Sequence, residues 1–233
     1  IKTYLRDETA WDRKPFEAMR KSDFRFAYTE ASWAEQRAYL DTAINELDAR
    51  DRRAAVAELE GLSPRPTHGT PVDGLVHSVA GTQVHFDRTS GDIAAIALSN
   101  GVILQGLGGS LIGYRYESYD EADVQAHLDS YLTHRADWAI LDHAKPGLEG
   151  ARTRRSERFV PRLAGMERNG ETIIATLEMP PVAREQLGAP ERVQLLVLPA
   201  GEGLEIVLQF WGKPANRMPE ASFLTLTPEG ARA

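Results

Sequence analysis

Six histidines, 34 acidic residues and not one cysteine set the chemical repertoire of this 233-residue sequence. Without cysteine there is no disulfide, no thiolate zinc site, no iron–sulfur cluster and no thiol nucleophile. His68, His77, His85, His127, His134 and His143 include no pair spaced three or four apart, so no helix face carries two imidazole ligands. His77 and His85, with Asp87 nearby, would make a two-histidine, one-carboxylate metal site if paired strands brought them face to face. As strand histidines hydrogen-bonded at a sheet edge they need no metal. Gly106-Leu107-Gly108-Gly109 reads as a turn, because no Lys-Ser/Thr follows it. With no nucleophile elbow, phosphate loop or dinucleotide fingerprint either, the sequence assigns no catalytic residue and no metal ligand.

Two segments suit binding better than catalysis. In Tyr114-Arg115-Tyr116-Glu117-Ser118-Tyr119-Asp120, strand alternation puts Tyr114 and Tyr116 on one face. Aromatic rings beside carboxylates suit a sugar, whose C–H faces stack while its hydroxyls need acceptors; the same rings could instead cover the sheet. Trp211-Gly212-Lys213-Pro214-Ala215-Asn216-Arg217-Met218-Pro219-Glu220 follows an apolar strand and holds its polar groups around two prolines. Such a loop can point into a cleft or lock a domain junction through charge-assisted hydrogen bonds. The candidate substrate-binding or interface residues are therefore Tyr114, Tyr116, Glu117, Trp211, Lys213, Asn216, Arg217 and Glu220. The segment Arg152 to Arg168, with six Arg and two Glu, reads as a solvated loop and strand edge.

The elements that must hold these residues change character along the chain. Residues 1–62 read as helical: Glu8 to about Arg20 forms one helix, and Ser32-Trp33-Ala34-Glu35 has the form of a capping box opening another. Trp33, Leu40, Ala43, Ile44 and Leu47 then make an apolar stripe. Asp51 can cap a further short helix that Gly61 stops. Helices this short and one-sided must pack against the rest of the chain or a neighbour. Residues 63–71, rich in proline, form a linker. From 72 to 233 the period is two. Strands are expected at Ile93 to Leu98, Val102 to Leu104, Leu111 to Tyr116, Phe159 to Met166, Thr172 to Met179, Val193 to Leu198, Leu204 to Phe210 and Phe223 to Leu226. Asp87 to Gly91 and Asn100-Gly101 are the turn signals, and a single helix from about Glu121 to His134 interrupts the strands. The class is α+β and mainly β: a short helical segment followed by an antiparallel sandwich with one inserted helix.

The formal charge is −7, and the acidity is confined to residues 71–150, with 4 basic against 11 acidic side chains. No basic surface predicts nucleic-acid binding, and no apolar run is long enough for a membrane helix. The first residues lack both an initiator Met and a signal-peptide core, as expected of a piece of a longer or processed protein. The absence of cysteine leans towards the cytoplasm without assigning a compartment.

Four stretches carry a resemblance. Ser32 to Tyr39, Phe86-Asp87-Arg88-Thr89-Ser90-Gly91-Asp92-Ile93, Tyr116 to Asp120, and Lys213 to Ala221 occur in an order similar to an uncharacterised family whose members resemble the family 38 glycoside hydrolases, the retaining, metal-dependent α-mannosidases. The resemblance covers nearly the whole chain, but only the region downstream of the catalytic barrel. It implies that residues 1–62 end a helical bundle and that the rest belongs to a galactose mutarotase-like β-supersandwich. It also implies that the nucleophile and the zinc or other divalent metal belong to a barrel preceding Ile1. This chain, without cofactor of its own, would then buttress that barrel and lend side chains to the rim of a carbohydrate cleft. An independent carbohydrate-binding or interaction module is the second reading, and a mutarotase-like or lyase-like enzyme using His and Glu the third.

Overall fold

The computed structural model describes residues 14, 18, 24–62, 65–134, 143–145, 147–151, 155–201, 203–214 and 216–230. The helix expected from Glu8 to Arg20, and the arginines at 152–154, lie outside the described residues apart from the isolated positions 14 and 18.

Helix α1 (Phe24–Asn45) runs straight through Ser32 to Glu35, so the capping-box pattern there does not start a helix. Nothing between Phe24 and Asn45 interrupts it, since the segment contains neither Pro nor Gly. Asp48, not Asp51, caps α2 (Ala49–Gly61), accepting the Arg50 and Asp51 N–H groups at 2.8 and 2.9 Å. The Arg52 guanidinium reaches back to the Leu47 carbonyl at 3.0 Å and covers the end of α1. Apart from half-buried Ile44, the apolar stripe is exposed. Trp33 is 51% accessible, Leu40 57% and Leu59 41%, and α2 buries no residue.

The remainder is a sandwich of two antiparallel sheets, and the chain is α+β and mainly β as expected. The strands are β1 (Thr70–Pro71), β2 (Val76–Val79), β3 (Thr82–Phe86), β4 (Ile93–Ala97), β5 (Ile103–Gln105), β6 (Ile112–Ser118), β7 (Glu157–Phe159), β8 (Arg162–Asn169), β9 (Thr172–Glu178), β10 (Arg192–Ala200), β11 (Gly203–Trp211) and β12 (Glu220–Leu226). One sheet orders β1-β8-β9-β10-β11. The other orders β12-β6-β4-β3-β2, with β5 added to β4 and β7 to β6. Between them lies one core: Val84, Phe86, Ile93, Tyr114 and Tyr116 from the wider sheet face Ile173, Ala175, Leu177, Val193, Leu195 and Val197 from the narrower.

Three departures from the sequence reading have local causes. The strand expected from Phe159 to Met166 is cut at Pro161, which lacks an N–H for the ladder, so β7 joins one sheet and β8 the other. A short helix, α4 (Pro181–Gln186), fills the β9–β10 connection with proline at its first position. The proline-rich linker is pinned from Thr67 onward: Gln194 receives the Thr67 N–H and donates to its carbonyl, both at 3.0 Å, before β1 pairs with β8. The inserted helix forms as α3 (Glu121–Tyr131), capped by Asp120 and Asp123 and anchored by buried Leu128.

Candidate functional site

Strand β6 reads Ile112-Gly-Tyr-Arg-Tyr-Glu-Ser, and its pleat sends Tyr114, Tyr116 and Ser118 inward while Arg115 and Glu117 face out. Both tyrosine rings are inside the core, so neither presents a face on which a sugar could stack. Their hydroxyls do reach polar partners. Tyr114 Oη lies 2.9 Å from Ser222 Oγ on β12. Tyr116 Oη lies 2.6 Å from the Leu187 carbonyl, at the end of α4, and is hydrogen-bonded to the Glu220 carboxylate.

Glu220 opens β12, and the loop before it crosses from one sheet to the other. Lys213 Nζ ion-pairs with Glu220 Oε1. Asn216 donates one amide hydrogen to the Leu187 carbonyl at 2.6 Å and the other to Glu220 Oε2 at 2.8 Å, and its Oδ1 accepts the Met218 N–H at 3.0 Å. Gly188 makes room for this amide. Its φ of +84° favours glycine, and a Cβ there would lie 2.8 Å from Asn216 Nδ2. Burial first, and then the hydrogen bond to Glu220, push the Tyr116 phenol far above its ordinary value, so it stays protonated and donates. Each polar atom has a partner, which is how a polar network rigidifies a fold. Its members tie the crossing loop to β6 and to α4 at once.

Of the remaining candidates, Glu117 and Trp211 lie elsewhere. Glu117 faces out between Arg115, whose Nε is 2.7 Å away, and Arg158, whose Nε donates to it at 2.9 Å. Burial opposes its charge, but the Tyr119 hydroxyl and the two guanidiniums outweigh that and hold its pKa below the usual carboxylate range. Arg115 in turn covers the Phe223 ring, 4.6 Å from its centroid. Arg217 is half-buried on the crossing loop. Trp211 sits on the outer face of the narrower sheet. The structure thus unites Tyr116, Lys213, Asn216 and Glu220, leaves Tyr114 beside them, and separates Glu117 and Trp211.

The histidine pair does not assemble. Register sets His77 opposite Val84 and His85 opposite Val76, so the two imidazoles project from opposite faces of the β2–β3 hairpin. His77 is buried, 3.2 Å from the Gly74 carbonyl and edge-on to Phe86, and burial lowers its pKa. Among the described residues no cluster of three or more metal-ligating side chains forms.

One buried acid yields a pH prediction. Asp92 accepts Ser110 Oγ–H at 2.7 Å through Oδ2, while Oδ1 is buried without a partner among the described residues. Burial raises its pKa despite the Ser110 and Ser90 hydroxyls. Its folded form therefore favours the neutral acid. The stability this contributes is complete below the ordinary value of 3.8 and is lost as pH rises through the raised one. Melting temperatures of Asp92→Asn, which cannot ionise, should gain on the wild type as pH climbs from below 3.8 to neutral. A difference that stays flat or runs the other way would remove the buried-acid account.

The sequence reading missed a groove on the outer face of the narrower sheet. Alternation in β10 turns Val193, Leu195 and Val197 into the core and leaves Arg192 and Gln194 outside. Register then builds a row of outward residues across four strands, Arg162, Glu178, Arg192 and Trp211. Glu178 is held by Arg162 and by Arg184 at 3.6 Å. Arg192 pairs with no carboxylate among the described residues. A hollow of about 470 Å³ lies here, lined by Trp211, Arg192, Glu191, Glu167, Thr176 and His68. The alternation of Arg192 and Gln194 was readable; their neighbours across the sheet were not.

Among protein families, the sequence matches the model described as a domain of unknown function, DUF5054, over residues 1–203. The chain belongs to this family. No curated protein and no solved structure matches it. Within this DUF5054 chain, the matched region includes Tyr114, Tyr116, Glu117, Arg192 and the α4 end at Leu187. Trp211, Lys213, Asn216, Arg217 and Glu220 follow the matched region, so the network joins one part to the other.

Proposed function

We propose that this chain is the non-catalytic downstream portion of a glycoside hydrolase similar to family 38, buttressing a catalytic barrel and forming part of the rim of its carbohydrate cleft. The observation that carries the reading is the exposed apolar face of α1 and α2, with Trp33, Leu40, Leu47, Val56 and Leu59 all open to solvent. A helix pair with so little of its stripe covered is stabilised by packing against another body. The resemblance carried by the order of motifs along the chain implies that this body is a barrel earlier in the same protein. The network around Glu220 fits the same role, because Lys213, Asn216 and Tyr116 all engage the Glu220 carboxylate and hold the loop in shape. Zinc or another divalent metal would belong to the barrel.

The test begins with the coding region that precedes residue 1. It should encode a barrel carrying Asp and His, and that region, produced separately, should bind this chain. Leu40→Asp combined with Leu59→Asp should abolish the complex while leaving the sandwich folded. An upstream region without a barrel, or a complex unaffected by the double substitution, would overturn docking. The chain alone should not cleave aryl mannosides; cleavage that disappears in Glu220→Gln would overturn the non-catalytic assignment. The reading as an independent carbohydrate-binding module draws its own support from the groove at Trp211.

A further inference from the structure

We propose that the outer face of the five-stranded sheet binds a neutral saccharide in the groove walled by Trp211 and centred on Arg192. Size is the first argument. The hollow of about 470 Å³ adjoins a second of about 350 Å³, and the two share Glu167, Thr176 and Arg192, so a chain of sugar rings could continue from one into the other. Both volumes fall within the roughly 300–1,000 Å³ usual for small-molecule sites.

The lining chemistry selects the ligand. Arg192 offers hydrogen-bond donors and no acceptor, Glu191 offers acceptors and no donor, and Thr176 offers a hydroxyl. The Thr176 hydroxyl already accepts from Gln194 Nε2 at 3.0 Å, which leaves its own proton to donate. Glu167 receives the Gly69 N–H at 3.2 Å through one oxygen and has the other for a ligand. A free anion would meet two carboxylates, and a metal cation would meet a guanidinium. A polyol needs both donors and acceptors and carries no charge to be repelled. Trp211 adds the indole surface against which the C–H face of a pyranose packs. Its indole N–H is buried and has no acceptor among the described residues.

The floor is prebuilt. Gln194 is buried and spends its amide on both backbone groups of Thr67 and on Thr176, which clamps the segment bearing His68 along one wall. Preformed walls lower the ordering cost of binding. The inference stands on this groove and not on the docking face of the helices, so either can fail alone.

Saturation-transfer NMR and titration calorimetry on the full chain, with methyl glycosides of glucose, galactose, mannose and N-acetylglucosamine and their β- and α-linked disaccharides, provide the test. At least one probe should bind saturably, with disaccharide exceeding monosaccharide. Trp211→Ala and Arg192→Gln should each weaken it at least about tenfold, the loss expected of one charge-assisted or stacking contact. Arg192 is exposed, so Arg192→Gln should keep the wild-type melting temperature and read the site even if Trp211→Ala fails to fold. Arg158→Ala, on the other sheet, should leave binding unchanged. No saturable binding across the panel, or binding equally strong in the Arg192→Gln chain, would overturn the proposal.

Discussion

Glu220→Ala should cost the fold about 2–4 kcal/mol, measured by denaturant unfolding at neutral pH, because it takes the common acceptor from three donors at once. Lys213 would lose its only carboxylate partner among the described residues, and Asn216 and Tyr116 would keep only the Leu187 carbonyl as acceptor. Glu220 and Lys213 are about three-quarters buried, with side-chain exposures of 21% and 26%, so water replaces these contacts only in part. Glu220→Gln should fall between. Its amide oxygen can still accept from Lys213, and its NH₂ can donate to a Tyr116 hydroxyl that has turned its own proton to Leu187, but it then faces the Asn216 NH₂ donor to donor. Tyr116→Phe should cost least, about 1 kcal/mol, since Asn216 still serves the Leu187 carbonyl and Lys213 still serves Glu220. The ranking Glu220→Ala, Glu220→Gln, Tyr116→Phe is what a lock requires. A Glu220→Ala chain within about 0.5 kcal/mol of the wild type, the scatter of ordinary surface changes, would end the account of the loop as a structural clasp.

The loop between Trp211 and Glu220 stands out in the sequence because its polar residues cluster around two prolines, and an Arg–Glu pair is the expected means of locking a junction there. The carboxylate of Glu220 is paired instead with Lys213, within the sandwich. What the sequence could not show is the hub of the network. The Leu187 carbonyl is a backbone atom at the end of a six-residue helix that has no periodicity to betray it, and it meets Tyr116 across 71 positions of chain. The same limit applies to the groove. The polar outer positions of β10 are visible as Arg192 and Gln194, but the neighbours that turn them into a wall come from register with β9 and β11. Register follows from which apolar face each strand buries, a property of the whole sandwich. Local signals succeeded where the cause is local. Asn100-Gly101 turns the β4–β5 hairpin, Gly61 ends α2, and the alternation in β6 puts both tyrosines on one face. Ser32 to Glu35 misled because a capping pattern marks a helix start only where the preceding residues cannot themselves be helical, and Phe24 to Ala31 can.

The turn from Asp87 to Asp92 shows how a motif read as a simple connection becomes a fixing point between sheets, and it carries the second large prediction. Asp87 Oδ1 receives the Thr89 and Ser90 N–H groups at 2.8 and 2.7 Å, and the Thr89 carbonyl accepts the Leu163 N–H of β8 at 2.8 Å, so the tip of a turn in one sheet is bonded to the other. The Ser90 N–H, acting against the burial of the carboxyl and assisted by Thr89, holds the Asp87 pKa below its usual range. Gly91 closes the turn at φ +76°, and a Cβ there would stand 2.3 Å from Leu177 Cδ2 and 3.0 Å from Leu163 Cδ1. Gly91→Val should therefore pay twice, once for a left-handed backbone that a β-branched residue resists and once for overpacking the core, about 3–5 kcal/mol together. Gly81, at φ +79° with nothing within 4 Å of its Cβ position, separates the two terms. Gly81→Val bears only the backbone part, about 1–2 kcal/mol. The difference between the two variants in denaturant unfolding measures how tightly the turn is seated between the sheets. Equal losses would mean that Leu177 and Leu163 give way freely and that the turn is held by its hydrogen bonds alone. A larger loss at Gly91 would make this turn, together with the Glu220 clasp, a second point at which the two sheets are fixed to one another.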